Sequence, residues 1–345
     1  MAKTSIGLDI GSSIIRVVEL EKDKERVKLR SLASIASPQP GMNGEGDVEL
    51  EAVASTIKSL LTAAKIEGKD VVVALPESKV FTRVIDDLPY LTDKELSSSI
   101  TYAAEEFIPL PLTDVNLNWQ ILYRSNPKDK NPRTVVFLIA SPKTLINKYV
   151  KVLTYAGVRP KALETETMGA TRSLVGPNPF APTTIIIQIG SSTTDLTIVS
   201  KGLIWLTRSL STGGLALTRA IAQHFNFEMS QAEEYKKVYG MLEDQLDGKV
   251  YEVLKPLIDI IAQESKRVIQ AFAEKYPTSQ IKRVVLSGGG AKMPGIVIYF
   301  ASLLGLEVQE ADPWYTIIKD QTLATKLSQD APAYSVAVGL ALREE

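Results

Sequence analysis

Cysteine is absent from this sequence of 345 residues, and His224 is its only histidine. Without cysteine the chain has neither disulfide bonds nor a thiol nucleophile, which fits a protein of a reducing compartment. With one histidine, the sequence shows no Ser-His-Asp arrangement and no His/Cys metal cluster. Disulfide-stabilised folds and thiol catalysis are therefore excluded.

The sequence also lacks long apolar runs and an excess of either charge. No window approaches the roughly 18–20 apolar residues of a membrane helix, and the start, M-A-K-T-S-I-G-L-D, has no signal-peptide core. The net charge of −1 provides no basic field for nucleic acid. With 45% hydrophobic and 23% charged residues, the composition is that of a globular protein of two or more domains. We expect a cytoplasmic protein, or one that a partner recruits to a membrane.

The stretch Ile6–Leu20 predicts a hairpin whose tip favours an anion. Its letters, I-G-L-D-I-G-S-S-I-I-R-V-V-E-L, give a strand, a turn of Gly11, Ser12 and Ser13, and a returning strand. Backbone N–H groups and two hydroxyls converge at such a tip and attract negative charge. Asp9 comes just before the turn, where a carboxylate can hold hydrated Mg²⁺.

The same pattern recurs at Thr184–Val199, T-I-I-I-Q-I-G-S-S-T-T-D-L-T-I-V. Its tip consists of Gly190, Ser191, Ser192 and Thr193. A single copy is equally well explained as an ordinary β-turn. Two copies indicate two related halves that close over one ligand.

Between the hairpins the pattern predicts a sheet with one helix and then a small inserted subdomain. The first block contains a strand, a helix and a buried strand, at Arg26–Ser37, Glu49–Ala64 and Val71–Leu75. The inserted block, from Lys79 to Ala156, contains strand, helix, strand, strand and helix, at Val80–Ile85, Lys94–Phe107, Val115–Tyr123, Thr134–Ala140 and Lys143–Tyr155. After the second hairpin we predict strands at Gly202–Thr212 and Arg283–Leu286 and helices at Leu215–Phe225, Ser230–Tyr239, Val250–Tyr276, Pro294–Leu304 and Ala333–Arg343.

Two glycine-rich turns and one charged pair add candidate nucleotide contacts. Gly288, Gly289 and Gly290 join a strand to a helix, where glycines allow a flat ring to approach the backbone and the helix start favours negative charge. Gly213 and Gly214 open another helix. On a third helix, Glu233 and Lys236 share one face, either as a surface ion pair or as hydrogen-bonding groups for a ribose.

Two glutamates are candidates for orienting a water molecule. Glu164 and Glu166 lie two residues apart and face the same side if the segment is extended. Either could orient a water, or both could be exposed surface.

These motifs, in this order, resemble the actin-like ATPase superfamily. Asp9–Ser13 resembles the first phosphate motif of the superfamily, and Gln188–Asp195 resembles the second. Glu164–Leu174 and Ala333–Leu342 resemble its two connecting motifs, and Val284–Gly295 resembles its adenosine motif. The place of the inserted block is similar to that in FtsA and in PilM, the type IV pilus assembly family. The phrases L-P-Y-L-T-D-K-E-L-S-S-S-I-T-Y-A-A-E-E-F-I-P-L and V-A-V-G-L-A-L-R are similar to PilM in particular.

The resemblance implies an α/β fold of the actin-like ATPase type. Two ribonuclease-H-like halves would enclose a nucleotide cleft, with an FtsA/PilM-type inserted subdomain. The implied subdomains are 1A (1–78 with 157–175), 1C (79–156), 2A (176–219 with 280–345) and 2B (220–279).

The resemblance also implies ATP or ADP with Mg²⁺ in the cleft. Asp9 and Asp195 would serve the metal, while Glu166 and Gln188 would act on the attacking water. Phosphate contacts would come from Gly11, Ser12, Ser13, Arg16, Gly190, Ser191, Ser192, Thr193, Gly213 and Gly214. Adenine and ribose contacts would come from Gly288, Gly289, Gly290, Glu233 and Lys236.

One residue departs from the family pattern. The second phosphate motif usually begins with aspartate, and Gln188 stands there in this sequence. Losing one charge in a partly solvated site costs about 1–4 kcal/mol, or roughly 10- to 1000-fold in metal affinity or rate. We therefore expect ATP binding with slow or absent hydrolysis. Arg16, where lysine is common, is a milder change.

The PilM resemblance implies a scaffold of the pilus assembly platform, or of a related secretion or DNA-uptake machine. It would bind the cytoplasmic N-terminal peptide of a PilN-type membrane protein in a cleft near the inserted subdomain. The sequence stops at Arg343-Glu344-Glu345 without the amphipathic helix of FtsA, which favours recruitment to the inner membrane through a partner. Self-association is a further option, and nucleic acid is not expected. The alternatives are an FtsA-like cell-division filament protein and a small-molecule kinase of the same superfamily.

Overall fold

The computed structural model describes residues 3–23 and 26–344, in which two five-stranded sheets share one strand order. The strands are β1 (Lys3–Ile10), β2 (Ile14–Asp23), β3 (Arg26–Ala36), β4 (Asp70–Leu75), β5 (Phe81–Pro89), β6 (Val115–Arg124), β7 (Arg133–Pro142), β8 (Arg159–Thr165), β9 (Thr184–Ile189), β10 (Thr194–Ser200), β11 (Leu203–Leu210), β12 (Arg283–Ser287) and β13 (Glu307–Glu310). The helices are α1 (Asp47–Ala63), α2 (Asp93–Glu105), α3 (Lys143–Tyr155), α4 (Glu166–Leu174), α5 (Gly214–Phe225), α6 (Met229–Tyr239), α7 (Lys249–Lys275), α8 (Ile296–Leu304), α9 (Gln321–Asp330) and α10 (Ser335–Ala341).

The second half of the chain repeats the topology of the first. The first sheet has the order β3-β2-β1-β4-β8 and the second the order β11-β10-β9-β12-β13. In each, a hairpin and a third strand are antiparallel, and two further strands run parallel to the first strand of the hairpin. Strand β9, T-I-I-I-Q-I, is buried along its whole length, including its two polar residues Thr184 and Gln188. The predicted pair of related halves is confirmed.

Helices α4 and α10 lie between the two halves and bring them close. One core cluster joins Val72 of the first sheet and Ile186 of the second to Ala170 and Leu340 of these helices. The helices meet backbone to backbone, because a Cβ on Gly339 would stand 1.7 Å from the carbonyl oxygen of Gly169. Only glycine permits so close a crossing.

The inserted block forms a separate three-stranded antiparallel sheet in the order β5-β7-β6. Helix α2 packs on one of its faces, and residues of the opposite face, such as Phe137, pack against Ile204 of β11 in the second half. Helix α3 contributes Tyr149 and Val152 to the core of the first half. By packing, the inserted unit therefore ends near Pro142 rather than at the predicted Ala156.

Five elements differ from the predictions. The segment between the inserted block and the second hairpin, for which no strand or helix is predicted, forms β8 and then α4 without an intervening loop. Strand β13 and helix α9 were not predicted. Helix α8 begins at Ile296 rather than Pro294, because Gly295 has a positive φ of +76°. Among the described residues no helix combines the length and apolar character needed to cross a bilayer.

Candidate functional site

The two predicted hairpin tips face each other across the cleft between the halves. The hydroxyl oxygens of Ser12 and Ser192 lie 2.9 Å apart, and those of Ser13 and Ser191 lie 2.5 Å apart. Gly11 is needed for the first turn, since a Cβ there would lie 2.6 Å from the carbonyl oxygen of Ile14. Hydroxyl groups from both halves therefore converge on one place.

The second tip is supported from beneath by the start of α5. The N–H of Gly214 donates to the carbonyl of Gly190, at 2.8 Å. A Cβ on Gly213 would stand 2.7 Å from the nitrogen of Thr193, so this contact requires glycine. The two glycines and the tip thus form one packed unit.

Three carboxyl groups gather next to the tips. Burial raises the pKa of Asp9 from 3.8 to about 6, although the nearby Arg16 lowers it. Burial likewise raises the pKa of Asp195 to about 7. Burial also raises the pKa of Glu166 well above its ordinary value, and the charges of Asp195 and Asp9 raise it further. These groups come from β1, β10 and α4, so the site draws on both halves.

The positions of two buried polar atoms fit a ligand that supplies hydrogen bonds or positive charge. Gln188 and Asp195 lie opposite each other in the register of β9 and β10. Within the described chain, Gln188 Oε1 and Asp195 Oδ1 are buried without a hydrogen-bond partner, which is costly unless something else satisfies them. No group of three or more possible ligand residues is placed to hold a metal among residues 3–23 and 26–344. Hydrated Mg²⁺ needs only one or two carboxylates when phosphates complete its shell, so these residues fit it.

Arg16 lies beside Asp9 and extends toward the C-terminal region. It is the cross-strand neighbour of Asp9 in the first hairpin. Its guanidinium lies 5.7 Å from the centre of the Tyr334 ring. This contact holds a positive charge at the first tip.

Glu233 and Lys236 are more than a surface ion pair. The Lys236 ammonium, whose side chain is 12% exposed, donates to Glu233 at 2.6 Å. It also donates to the carbonyl of Gly214 and to the hydroxyl of Thr218. Burial lowers the pKa of Lys236. The pair therefore ties α6 to the start of α5, next to the second tip.

The three consecutive glycines, Gly288 to Gly290, differ in why glycine suits each position. Added Cβ atoms on Gly288 and Gly290 would lie 2.4 Å and 2.3 Å from atoms of Ile189, so both positions allow this turn to pack on the end of β9. A Cβ on Gly289 would meet nothing within 4 Å. Only Gly289 is left with open space in front of it for a ring.

Glu164 and Glu166 do not share a face. Arg172 of α4 donates hydrogen bonds to both carboxylate oxygens of Glu164, at 2.9 and 3.0 Å. Arg343, near the C-terminus, donates to one of them. The segment turns from β8 into α4 between the two residues. The idea that Glu164 could orient a water is therefore wrong, and Glu166 alone joins the acidic group.

Sequence reasoning missed Glu77, a buried carboxyl group close to Glu166. Its side chain is 4% exposed, and its oxygens accept hydrogen bonds from the hydroxyls of Thr167 and Thr82, at 2.7 and 3.2 Å. Burial raises its pKa. The phrase P-E-S-K looks like an exposed turn, and no signal in the sequence marks this glutamate as internal.

A groove of about 690 Å³ lies between α1 and α3, where the inserted block leaves the first half. Its apolar lining includes Met42, Leu50, Leu145 and Tyr149. The Tyr149 hydroxyl has a raised pKa because it is buried and because Glu166 and Asp9 are near. The base of the groove is therefore close to the acidic group.

A model of the family described as type IV pilus assembly protein PilM matches residues 7–345. The chain belongs to the PilM family. In the solved structure of a PilM-PilN type IV pilus biogenesis complex, one chain is 27% identical, with a TM-score of 0.85 and 98% of each chain covered.

Further comparisons concern the fold that this chain shares with other proteins. The cell division protein FtsA of Enterococcus hirae is 23% identical over 350 residues, which cover 90% of this chain and 78% of FtsA. The structure of MreB5 from Spiroplasma citri bound to AMPPNP is 16% identical, with a TM-score of 0.53 and coverage of 98% and 94%. At that identity the likeness shows the shared fold, and the predicted actin-like ATPase fold is confirmed.

Proposed function

We propose that this PilM-family protein is an ATP-binding scaffold of a pilus assembly platform. The observation that carries the nucleotide part is the meeting of the two Gly-Ser-Ser tips above a shared group of carboxyls. Hydroxyls and backbone N–H groups from both halves suit a polyphosphate. ATP would then bridge the halves and fix the angle between them.

In this proposal the site residues have distinct tasks. Asp9 and Asp195 would hold Mg²⁺, which when bound neutralises phosphate charge. The two tips, Arg16 and the Gly213-Gly214 turn would bind phosphates, Glu233 and Lys236 the ribose, and Gly289 with its neighbours the adenine. Glu166 would orient a water molecule. With neutral Gln188 in place of a carboxylate, hydrolysis would be slow or absent.

A charge placed at the first tip tests nucleotide binding. Ser13→Asp puts a carboxylate against the phosphates and should weaken ATP binding at least about tenfold, whereas Ser13→Asn, of nearly the same size, should change it by less than about threefold. Calorimetric titration with ATP and Mg²⁺ measures both. Equal affinities of the two variants, or no binding by the wild-type protein, would contradict the proposal.

We further propose that the groove between α1 and α3 binds the cytoplasmic N-terminal peptide of a PilN-type membrane protein. The support is the PilM-PilN complex and the volume and apolar lining of the groove. Through this peptide the protein would be held at the cytoplasmic face of the inner membrane. The subdomain divisions within the second half, at 219 and 279, remain part of the proposal.

Two tryptophan substitutions on α3, one inside the groove and one outside it, test whether the peptide binds in the groove. Asn147 lines the groove, whereas Val150 is exposed on the same helix outside it. Asn147→Trp should weaken binding of the synthetic PilN-type peptide about tenfold or more by filling the groove, and Val150→Trp should leave it unchanged. Fluorescence anisotropy with labelled peptide measures both. An Asn147→Trp variant that binds like the wild type would place the peptide elsewhere.

A further inference from the structure

The hydroxyl partners of Glu77 extend into a chain across three parts of the molecule. Thr167, which donates to Glu77, is itself 2.8 Å from the hydroxyl of Thr165. Thr82, which donates to the other Glu77 oxygen, is 2.6 Å from the hydroxyl of Thr207. The carboxyl is thus the central acceptor of a connected network of buried or half-buried hydroxyl groups.

Each end of this network reaches a different structural unit. Thr165 and Thr167 flank Glu166 at the start of α4, and a backbone hydrogen bond from Glu77 reaches Glu166 itself. Thr82 belongs to β5 of the inserted sheet, and Thr207 to β11 of the second half. One side chain therefore links the acidic group, the inserted block and the opposite half.

Contacts around the network hold the same two strands together. On β5, Asp86 accepts a hydrogen bond from the Tyr276 hydroxyl at 2.9 Å and forms an ion pair with Lys275. The Tyr276 ring packs edge-on against Trp205 of β11, with ring centres 4.9 Å apart. Hydrogen bonds, an ion pair and ring packing therefore join β5, β11 and the end of α7, and Glu77 is buried beside them.

We propose that Glu77 is a positioning residue for the nucleotide cleft. Without touching the ligand, it fixes the start of α4, and so Glu166, relative to β5 and β11, and this sets how closely the halves approach. The inference rests on the proposed function, because it assigns Glu77 a role in nucleotide binding. The carboxyl acts as a hydrogen-bond acceptor, so glutamine serves in its place.

The test compares Glu77→Leu with Glu77→Gln. Leucine fills the space but removes the acceptor to which the Thr167 and Thr82 hydroxyls donate. Glutamine keeps an acceptor oxygen and lets the hydroxyls rotate to match its amide. Without nucleotide, amide hydrogen exchange of Leu203–Leu210 should rise about tenfold in Glu77→Leu and less than about threefold in Glu77→Gln. ATP affinity should fall about tenfold in the leucine variant alone.

A double-mutant cycle and a matched control distinguish positioning from general destabilisation. Thr207→Val removes the far end of the network, so the double variant Glu77→Leu/Thr207→Val should bind ATP no more weakly than Glu77→Leu. Ser31→Ala removes a half-buried hydroxyl of β3 that donates to the carbonyl of Ala64 at 2.6 Å, and it should leave ATP affinity and the exchange of Leu203–Leu210 unchanged.

The outcomes separate the two proposals. If the wild-type protein binds no ATP, the proposed function fails and the role of Glu77 in nucleotide binding fails with it. If the wild type binds ATP and Glu77→Leu binds equally well, or Glu77→Gln loses as much affinity as Glu77→Leu, only the inference about Glu77 is overturned. Additive losses in the double variant would also overturn it.

Discussion

Replacing Gln188 by aspartate would add a carboxylate beside three that already share the cleft. Gln188 is buried and lies opposite Asp195 in the sheet register, and paired antiparallel positions bring Cβ atoms to about 4.5–5.5 Å. Two unit charges about 5 Å apart repel by about 3 kcal/mol at an effective dielectric constant of about 20. We expect Gln188→Asp to lower the free energy of unfolding by about 1–3 kcal/mol without Mg²⁺, because protonation relieves part of the repulsion.

The sign should reverse when Mg²⁺ and ATP are present. The added carboxylate then faces a cation instead of only other carboxylates, so Mg²⁺ affinity or the rate of phosphate release should rise roughly 10- to 1000-fold. Urea unfolding in EDTA and in Mg²⁺-ATP measures the first effect, and phosphate release under single-turnover conditions measures the second. Both follow from one added charge at one position.

A matched neutral variant isolates that charge. Gln188→Asn shortens the side chain as much as aspartate does but adds no charge, so it should show neither the Mg²⁺-dependent stability nor the faster release. The reasoning is refuted if Gln188→Asp and Gln188→Asn behave alike in EDTA and in Mg²⁺-ATP. In that case the missing charge would not be what limits metal binding at this cleft.

Three further predictions concern packing, burial and protonation. Gly339→Ala would force a Cβ to 1.7 Å from the carbonyl oxygen of Gly169, so we expect a loss of about 3 kcal/mol or more in urea unfolding, and wild-type stability would disprove the close crossing. Lys236→Met leaves the Glu233 carboxylate without its ammonium partner and should cost about 1–3 kcal/mol, again by urea unfolding; no loss would mean that the pair is only a surface contact. Because the pKa of Asp9 is about 6 when folded and 3.8 ordinarily, the folded chain binds its proton more tightly. The free energy of unfolding should therefore fall as the pH rises from about 4 through 6, with about 3 kcal/mol due to this group. Asp9→Asn should remove that part of the slope in denaturation at both pH values, and identical slopes would contradict the assignment.

The repeated hairpins could be predicted because their physics is local. A mainly apolar run, a Gly-Ser-Ser turn and a second mainly apolar run specify two buried strands and their connection within about 15 residues. Because the sequence contains two copies of this pattern, their likeness alone predicts that the two halves are related. The contact between Ser12 and Ser192 could not be derived in that way, because it depends on how two distant halves are held together.

Helix α4 was not recognised because it lacks the usual periodic signal. Its sequence, E-T-M-G-A-T-R-S-L, contains few large apolar residues, and it follows β8 without a loop. The helix is buried through small residues, such as Gly169 and Ala170, that fit closely against α10 and the neighbouring sheets. A search for a stripe of large apolar residues does not find a helix that is buried because small residues let its backbone approach its neighbours.

Glu77 was missed for the opposite reason, since its surroundings are assembled from remote segments. Its partner Thr167 lies 90 residues away along the chain, and its nearby partner Thr82 bonds in turn to Thr207, 125 residues from it. None of these positions is marked in the sequence as facing a carboxyl. A charged residue next to a proline and a serine is ordinarily exposed. Its burial is a consequence of how the inserted block docks, and docking is a property of the tertiary structure.

The close crossing of α4 and α10 explains why the two tips can meet at all. Each tip ends a hairpin whose strand leads back to the sheet on its own side, so the gap between tips follows from the gap between sheets. That gap is filled by α4 and α10, and a backbone contact at Gly169 and Gly339 makes this layer thin. Larger residues there would move the sheets apart and carry Ser12 away from Ser192. Two glycines that belong to neither tip therefore contribute to the geometry of the cleft.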